Sequence, residues 1–347
     1  MPLFRTPDFW WGRHNPVGYA LAPLGILYGR VSERRMEGAG VSAGIPVICI
    51  GNPIVGGAGK TPTALAVADA CRQLRLSPGF LTRGYGGRET GPLVVSSAIH
   101  SARDVGDEAL LLDHSAPTVV SVHRPSGAKL LASLGVDIVV MDDGFQNPSL
   151  AKDLAILVVD GVRGTGNGLV FPAGPLRAPL AAQMRRADAL VVLGDGPGGP
   201  SVRIAARAGL PILRARTEAV RRRGLTRRPY LAFAAIADPG KFYASLAAAG
   251  AQVGFTMDFP DHRMFSEAEC ERILAEAASR ELVPITTEKD RVRLLGRGGA
   301  AERLAAVTES FPIRVRFEEP RRLEALITDA VERYAGADRL ERLSRTA

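Results

Sequence analysis

The first chemistry legible in this chain lies between Val47 and Thr61. An apolar run, Val47-Ile48-Cys49-Ile50, leads through Gly51, Asn52 and Pro53 into Ile54, Val55, Gly56, Gly57, Ala58, Gly59, Lys60 and Thr61. A strand emptying into a glycine-rich loop that ends in Gly-Lys-Thr is a phosphate cradle. The backbone N–H groups of residues 54–61 can wrap the β- and γ-phosphates of ATP, Lys60 adds a point charge, and the Thr61 hydroxyl suits Mg²⁺. A helix expected over residues 61–74 brings its positive dipole end to the same place. The strict loop pattern asks for glycine where this chain has Ile54, and a glycine-rich turn capping a helix is the plain alternative. The context favours the cradle, because the loop follows an apolar strand and precedes an Ala-rich helix. The 44 basic residues include only five lysines, one of which is Lys60. That suits a role needing a compact ammonium.

Downstream, the apolar stretch from Val136 to Met141 runs into Asp142-Asp143-Gly144-Phe145-Gln146-Asn147. A strand ending in aspartate supplies the second half of a P-loop site, where the carboxylate holds Mg²⁺ directly or through water. A strand closing in an ordinary Asp-Asp-Gly turn is the alternative. Asp142 and Asp143 therefore join Thr61 as candidate metal ligands.

The elements that must position these residues follow from periodicity. Strand-like runs at Val47 to Ile50, Gly79 to Thr82, Thr118 to Val122, Ile138 to Met141, Leu154 to Asp160 and Ala189 to Leu193 alternate with helix-like segments. This predicts an α/β fold with a mostly parallel sheet and helices on both faces. Ligands of such sheets collect at the carboxyl ends of the strands. A second alternation from Tyr230 to Thr286, with a capping box at Ser266 and Glu269, predicts a smaller C-terminal α/β domain. The expected division is an N-terminal amphipathic helix over 1–35, a P-loop domain over 36–216, a basic linker over 217–229, the smaller domain over 230–335 and a frayed tail over 336–347.

With 347 residues, 46% hydrophobic and 23% charged, the chain reads as globular throughout. Cys49, Cys71 and Cys270 show no metal-type spacing and fit a reduced compartment. The net charge of +8 favours an anionic partner, and seven arginines fall between Arg214 and Arg228. No nucleic-acid motif accompanies them, so nucleic acid ranks below an acidic phospholipid or a phosphorylated substrate. Near the N-terminus, Phe9, Trp10 and Trp11 precede a nearly uncharged stretch, Val17 to Gly29. Asn15-Pro16 is expected to start a helix there, with Val17, Leu21, Leu24, Tyr28 and Val31 on one face and a kink or split at Pro23. About thirteen apolar residues fall short of the roughly 20 needed to span a bilayer. The stretch reads either as a peripheral foot on an anionic membrane or as a helix packed on the protein body.

Taken together, these loops and the strings Arg83-Gly84-Tyr85, Gly106-Asp107-Glu108, Gly166-Asn167-Gly168, Pro172 to Arg177, Phe259-Pro260-Asp261-His262 and Thr286-Thr287-Glu288-Lys289-Asp290 make the chain resemble the tetraacyldisaccharide 4′-kinases of lipid A biosynthesis. The resemblance spans roughly Phe9 to Ala335. It implies transfer of the ATP γ-phosphoryl to the 4′-hydroxyl of a tetraacyldisaccharide 1-phosphate, giving lipid IVA, with ATP and Mg²⁺. It further implies a peripheral place on the cytoplasmic face of the inner membrane of a Gram-negative bacterium, a glycolipid substrate and no obligate protein partner. Within that resemblance Asp107 is the expected base, His262 its partner from the second domain, and Arg177 the cation meeting γ-phosphate charge. Glu108 is a further metal candidate. Arg83, Tyr85, Gln146, Asn167, Lys289 and Asp290 are further site residues. Asn147 departs from the family, which has histidine there. Two other classes stay open: a partitioning-type ATPase, whose loops usually carry lysine where this chain has Val55, and a nucleotide-gated membrane adaptor.

Overall fold

The computed structural model describes residues 7–12, 15–57, 59–220, 225, 228–236, 238–261 and 263–346. A 3-10 turn (Asp8–Trp10) and α1 (Pro16–Arg35) come first. They are followed by β1 (Val47–Gly51), α2 (Lys60–Gln73), β2 (Pro78–Thr82), β3 (Leu93–Val94), α3 (Ala102–Val105), α4 (Asp107–Asp113) and β4 (Thr118–Val120). Next come α5 (Arg124–Ser133), β5 (Ile138–Asp142), β6 (Leu154–Asp160), α6 (Leu180–Met184), β7 (Ala189–Leu193), α7 (Gly199–Arg207) and β8 (Ile212–Ala219). A second unit holds β9 (Tyr230–Ala234), α8 (Pro239–Ala248), β10 (Val253–Asp258), α9 (Glu267–Ser279), β11 (Val283–Thr287), α10 (Glu288–Val292), α11 (Gly299–Val307) and β12 (Glu309–Phe311). The chain then returns with β13 (Ile313–Phe317) and α12 (Pro320–Thr346).

The main sheet has nine strands in the order β13-β8-β7-β6-β1-β5-β2-β4-β3, and only its two edge pairings, β13 with β8 and β3 with β4, are antiparallel. Its central strands are buried on both faces, which is why they read as continuous apolar runs. Along β5, Val139 and Met141 point into one core, with α5, α6 and α7, while Ile138 and Val140 point into the other, with α2 and α12. Each such side chain contributes roughly 1.5–3 kcal/mol on burial. The second unit is a parallel sheet, β10-β9-β11-β12. In both layers the mostly parallel α/β architecture expected from the sequence is present.

Three boundaries differ from those expected. The expected linker does not begin at 217: Thr217, Glu218 and Ala219 are the last residues of β8, whose Leu213 and Ala215 face the core while Arg214 and Arg216 face out. Nor does the segment from Ile313 belong to the second unit, since β13 pairs with β8 from Ile313–Ala219 to Phe317–Ala215. The expected frayed tail is helical to Thr346. Leu323, Ile327 and Ala330, on one stripe of α12, sit in the α2-side core and anchor it.

At the other end, α1 is one continuous helix that carries Pro23 undivided, and Asn15 caps it by accepting from Val17 N at 2.9 Å. It docks through Gly18, Gly25 and Gly29. A Cβ at Gly25 would meet Val170 O at 2.6 Å. Leu24, Ile26, Leu27 and Val31 remain exposed. No described helix is long and apolar enough to cross a membrane.

Because Ile327 is fully buried against the sheet, Ile327→Ala should destabilise the protein by about 2–5 kcal/mol. Denaturant unfolding that is unchanged by this substitution would show that α12 is not part of the main core.

Candidate active site

The loop is set by its neighbours rather than by glycine alone. Gly59 has φ 78° and caps α2, which starts at Lys60, one residue earlier than expected. The non-glycine first position has a physical account: Ile54 is buried and bridges Leu176, Val55 N donates to Pro175 O at 2.7 Å, and Arg177 N donates to Pro53 O at 2.9 Å. A short strap, residues 175–177, thus holds the entry to the loop, and an apolar side chain there fills the core. Asn52 Nδ2 donates to Gly56 O at 2.9 Å, and Gln146 Nε2 donates to Asn52 O at 3.0 Å. Ala58 lies outside the described residues.

The β1–β5 register pairs Ile50 with Asp142, so the second carboxylate motif stands beside the loop. Thr61 Oγ1 donates to Asp142 Oδ2 at 2.8 Å. The other oxygen, Asp142 Oδ1, is buried without a hydrogen-bond partner. Burial and the nearby Glu108 charge push this carboxyl up to about 7, against the pull of Lys60. Asp143 is different. It adopts φ 55° and takes the Arg177 fork, Nη1–Oδ1 2.9 Å and Nη2–Oδ2 3.2 Å, with Lys60 Nζ 3.7 Å from Oδ2. Burial acts to raise it, but Lys60 and Arg177 outweigh burial and hold it below the ordinary carboxylate range. Arg177 also donates through Nε to Ile54 O at 2.8 Å and through Nη1 to Gln146 Oε1 at 3.3 Å.

An orphaned buried carboxylate oxygen beside a hydroxyl is the donor set for a hard cation that draws its other ligands from phosphate and water. Among the described residues no cluster of three or more His, Cys, Asp or Glu could hold a metal by itself. Asp142 and Thr61 therefore fit Mg²⁺. Asp143 is committed to Arg177 and Lys60, and Glu108 Oε1 accepts from Lys289 Nζ at 3.0 Å.

The remaining candidates fall into two groups. Asp107 begins α4, is nearly buried, accepts from Glu108 N at 2.8 Å and is paired with Arg293 from just beyond α10. Lys289 is lowered by burial, but Glu108 and Asp107 more than compensate and leave its ammonium above its ordinary value. Asp290 is fully buried, bonded to Thr287, Ala235 and Arg293. His262 lies outside the described residues. Asn167 is committed to its own loop: Nδ2 donates to Ala173 O at 3.0 Å and Phe9 O at 3.4 Å, and Oδ1 accepts from Leu169 N at 3.0 Å. Asn147 is likewise used locally, its Oδ1 accepting from Ser149 N and Oγ. Arg83 and Tyr85 follow β2 on an exposed rim.

Sequence reasoning passed over Asn52, Gln183, Arg124 and Arg293. Gln183 is buried and accepts from Gln146 Nε2 while donating to Pro53 O and Ala178 O. Arg124, the first residue of α5, is buried, donates to Ser121 O and is lowered chiefly by burial and then by Arg83, with Asp143 and Asp142 opposing. A signal existed for Arg293, three residues after Asp290 on a helical turn. None existed for Arg124, whose sequence context is an ordinary helix start.

A strand-loop-helix cradle with Lys60, an adjacent strand ending in a carboxylate hydrogen-bonded to Thr61, and a second unit reaching the same rim define a P-loop kinase. The sequence profile described as “Tetraacyldisaccharide-1-P 4'-kinase” (LpxK) matches residues 17–332. Relatives called tetraacyldisaccharide 4′-kinase include one from Methylobacterium nodulans, 49% identical over 320 residues, covering 91% of this chain and 93% of its own. One from Rhizobium meliloti is 47% identical over 338 residues and covers 97% of each. The crystal structure of “apo” form LpxK from Aquifex aeolicus in complex with ATP superimposes with a TM-score of 0.73 at 27% identity, covering 91% of this chain and 99% of that one. The chain belongs to the tetraacyldisaccharide 4′-kinase family.

The orphaned Asp142 carboxylate has a stability consequence without ligands. Its folded value lies above the unfolded carboxylate value near 4, so the folded state holds the extra proton and loses stability as pH rises from about 4 to about 7. Asp142→Asn should therefore raise Tm more at pH 8 than at pH 5. Equal shifts at both pH values would show that the carboxylate is not strained by burial.

Proposed function

We propose that this chain transfers the γ-phosphoryl group of ATP to the 4′-hydroxyl of a tetraacyldisaccharide 1-phosphate. The observation that carries the reading is the Thr61–Asp142 pair with its free buried oxygen, set beside Lys60 in the loop of a chain from this kinase family. In the reaction the 4′-oxygen forms a bond to the γ-phosphorus, the bond to the bridging β–γ oxygen breaks, ADP leaves and the hydroxyl proton passes to a base. Most of the catalysis is positioning and charge neutralisation. Loop N–H groups and Lys60 bind the donor phosphates, while Asp142 and Thr61 would hold Mg²⁺, which neutralises phosphate charge when bound. Arg177, already at the loop entry, would meet γ-phosphate charge by exchanging part of its fork to Asp143.

The proposed base is Asp107. Its carboxylate is held at the start of α4, Oδ2 by Arg293 Nε at 2.6 Å and Oδ1 by Glu108 N at 2.8 Å, and would accept the hydroxyl proton. His262 is proposed as its partner. Arg83 and Tyr85, on the rim after β2, are proposed acceptor contacts. The outward apolar face of α1 supports a peripheral seat on the anionic cytoplasmic face of the inner membrane, where a glycolipid acceptor resides.

Lys60→Ala and Asp142→Ala should each lower kcat by more than tenfold, about 1.4 kcal/mol. Mass analysis of the wild-type product should show one added phosphate at the 4′ position. Product without that phosphate, or either variant at wild-type rate, defeats the assignment. Asp107→Asn should leave the KM for ATP near wild type while kcat falls by roughly 10²–10⁴. A wild-type kcat would make Asp107 a structural acid.

For the membrane seat, Ile26→Asp with Leu27→Asp alters only exposed positions of α1. The double variant should keep its fold by circular dichroism and lose cosedimentation with vesicles containing anionic phospholipid. Undiminished binding would remove α1 from the membrane contact.

A further inference from the structure

Among the described residues, Arg293 is the largest side chain that is completely buried. Its guanidinium serves three elements at once. Nε donates to Asp107 Oδ2 at 2.6 Å and Nη2 reaches the same oxygen, while Nη1 donates to Asp290 Oδ1 at 2.6 Å and to Ala235 O at 2.8 Å. Asp290 is itself held by Ala235 N at 3.1 Å and Thr287 Oγ1 at 2.8 Å. The guanidinium is thus locked at the end of β9 and presented across the gap to the first turn of α4. There Asp107 Oδ1 accepts from Glu108 N at 2.8 Å, so its carboxylate is gripped from its own helix and from the second unit. Beside it, Glu108 takes Lys289 Nζ at 3.0 Å from the same α10 segment. Two neighbouring acids of the first unit therefore meet two neighbouring cations of the second.

Stability alone is a poor explanation for such a cluster. Desolvating two charges consumes most of the attraction between them, and an apolar contact of the same volume would stabilise at least as well. What the guanidinium supplies that an apolar side chain cannot is direction: Nε and Nη2 close on Oδ2 while Glu108 N holds Oδ1, so the two grips together fix the rotamer of the carboxylate.

Resting on the reading of Asp107 as the base, we infer that Arg293 is a positioning residue for the phosphoryl transfer: it sets the orientation of the Asp107 carboxylate from the second unit. Asp107 is aimed only while that unit is seated on α4. The base is then assembled from both units, and separation of the two withdraws the group that aims it. Lys289 and Glu108 form the parallel contact that registers the seating.

The test uses the full-length chain with ATP, Mg²⁺ and tetraacyldisaccharide 1-phosphate in mixed micelles. Arg293→Lys keeps the cation and the fold but loses the fork, and misaiming a reacting group lowers kcat by about 10²-fold. The KM for ATP should stay within about twofold, since the cradle is untouched. The double variant Asp107→Asn, Arg293→Lys should be no slower than Asp107→Asn alone, because the two residues act as one unit. A merely structural arginine would instead impose its loss in both backgrounds. Arg293→Ala, where it folds, should regain rate on addition of guanidinium ion. Wild-type kcat in Arg293→Lys, or a further tenfold loss in the double variant, overturns the inference while a slow Asp107→Asn leaves the base assignment standing. A fast Asp107→Asn would bring down the base assignment itself.

Discussion

Two adjacent carboxylates have to be kept beside a polyanion, and much of the arrangement of this protein answers that requirement. The β1–β5 register sets Asp142 level with Ile50, and the chain then turns through the positive φ of Asp143, which sends the neighbouring carboxylate elsewhere. One acid is left buried with a free oxygen and a value near 7, while the other is neutralised by Arg177 and Lys60. Adjacent in sequence, they end in opposite electrostatic states because the backbone turn parts them. Lys60 feels both, which makes it the electrostatic hinge of the pocket.

That separation depends on the strap formed by residues 175–177. By bridging Ile54 and Val55, it replaces the tight glycine turn usual at the start of a phosphate loop with a small piece of sheet, and it delivers Arg177 in the same step. Loop shape and loop charge are coupled here: a displaced strap would move the arginine and the loop entry together. The strap is in turn continuous with the segment against which α1 packs through its glycines. A helix whose apolar side chains face outward is therefore in mechanical contact with the nucleotide loop.

Much of this was legible in the sequence, and the failures share a cause. Strands buried on both faces, such as Leu154–Asp160 and Ala189–Leu193, announced themselves because their apolar runs depend only on local composition. The cradle was legible because its chemistry is contiguous, and Ile54, the one irregular position, is explained by packing against Leu176. What escaped were features whose partners lie far away in the chain. The end of β8, residues 217–219, looks like the start of a basic linker, and nothing near it reveals that residues 313–317 return to pair with it. Arg124 and Arg293 acquire meaning only when Asp143 and Asp107 are brought to them. Asn167 and Asn147 both sit in informative strings, and their side chains serve the backbone beside them, which no string reveals.

The late return of β13 also bears on synthesis. When the ribosome has released β8, the strand that will cover its open side is still unmade, and the whole second unit must emerge first. At roughly 5–20 residues per second, the nascent sheet carries an uncovered strand for several seconds. Arg214 and Arg216 stand on that strand, and charged side chains on a bare strand discourage pairing with neighbouring chains.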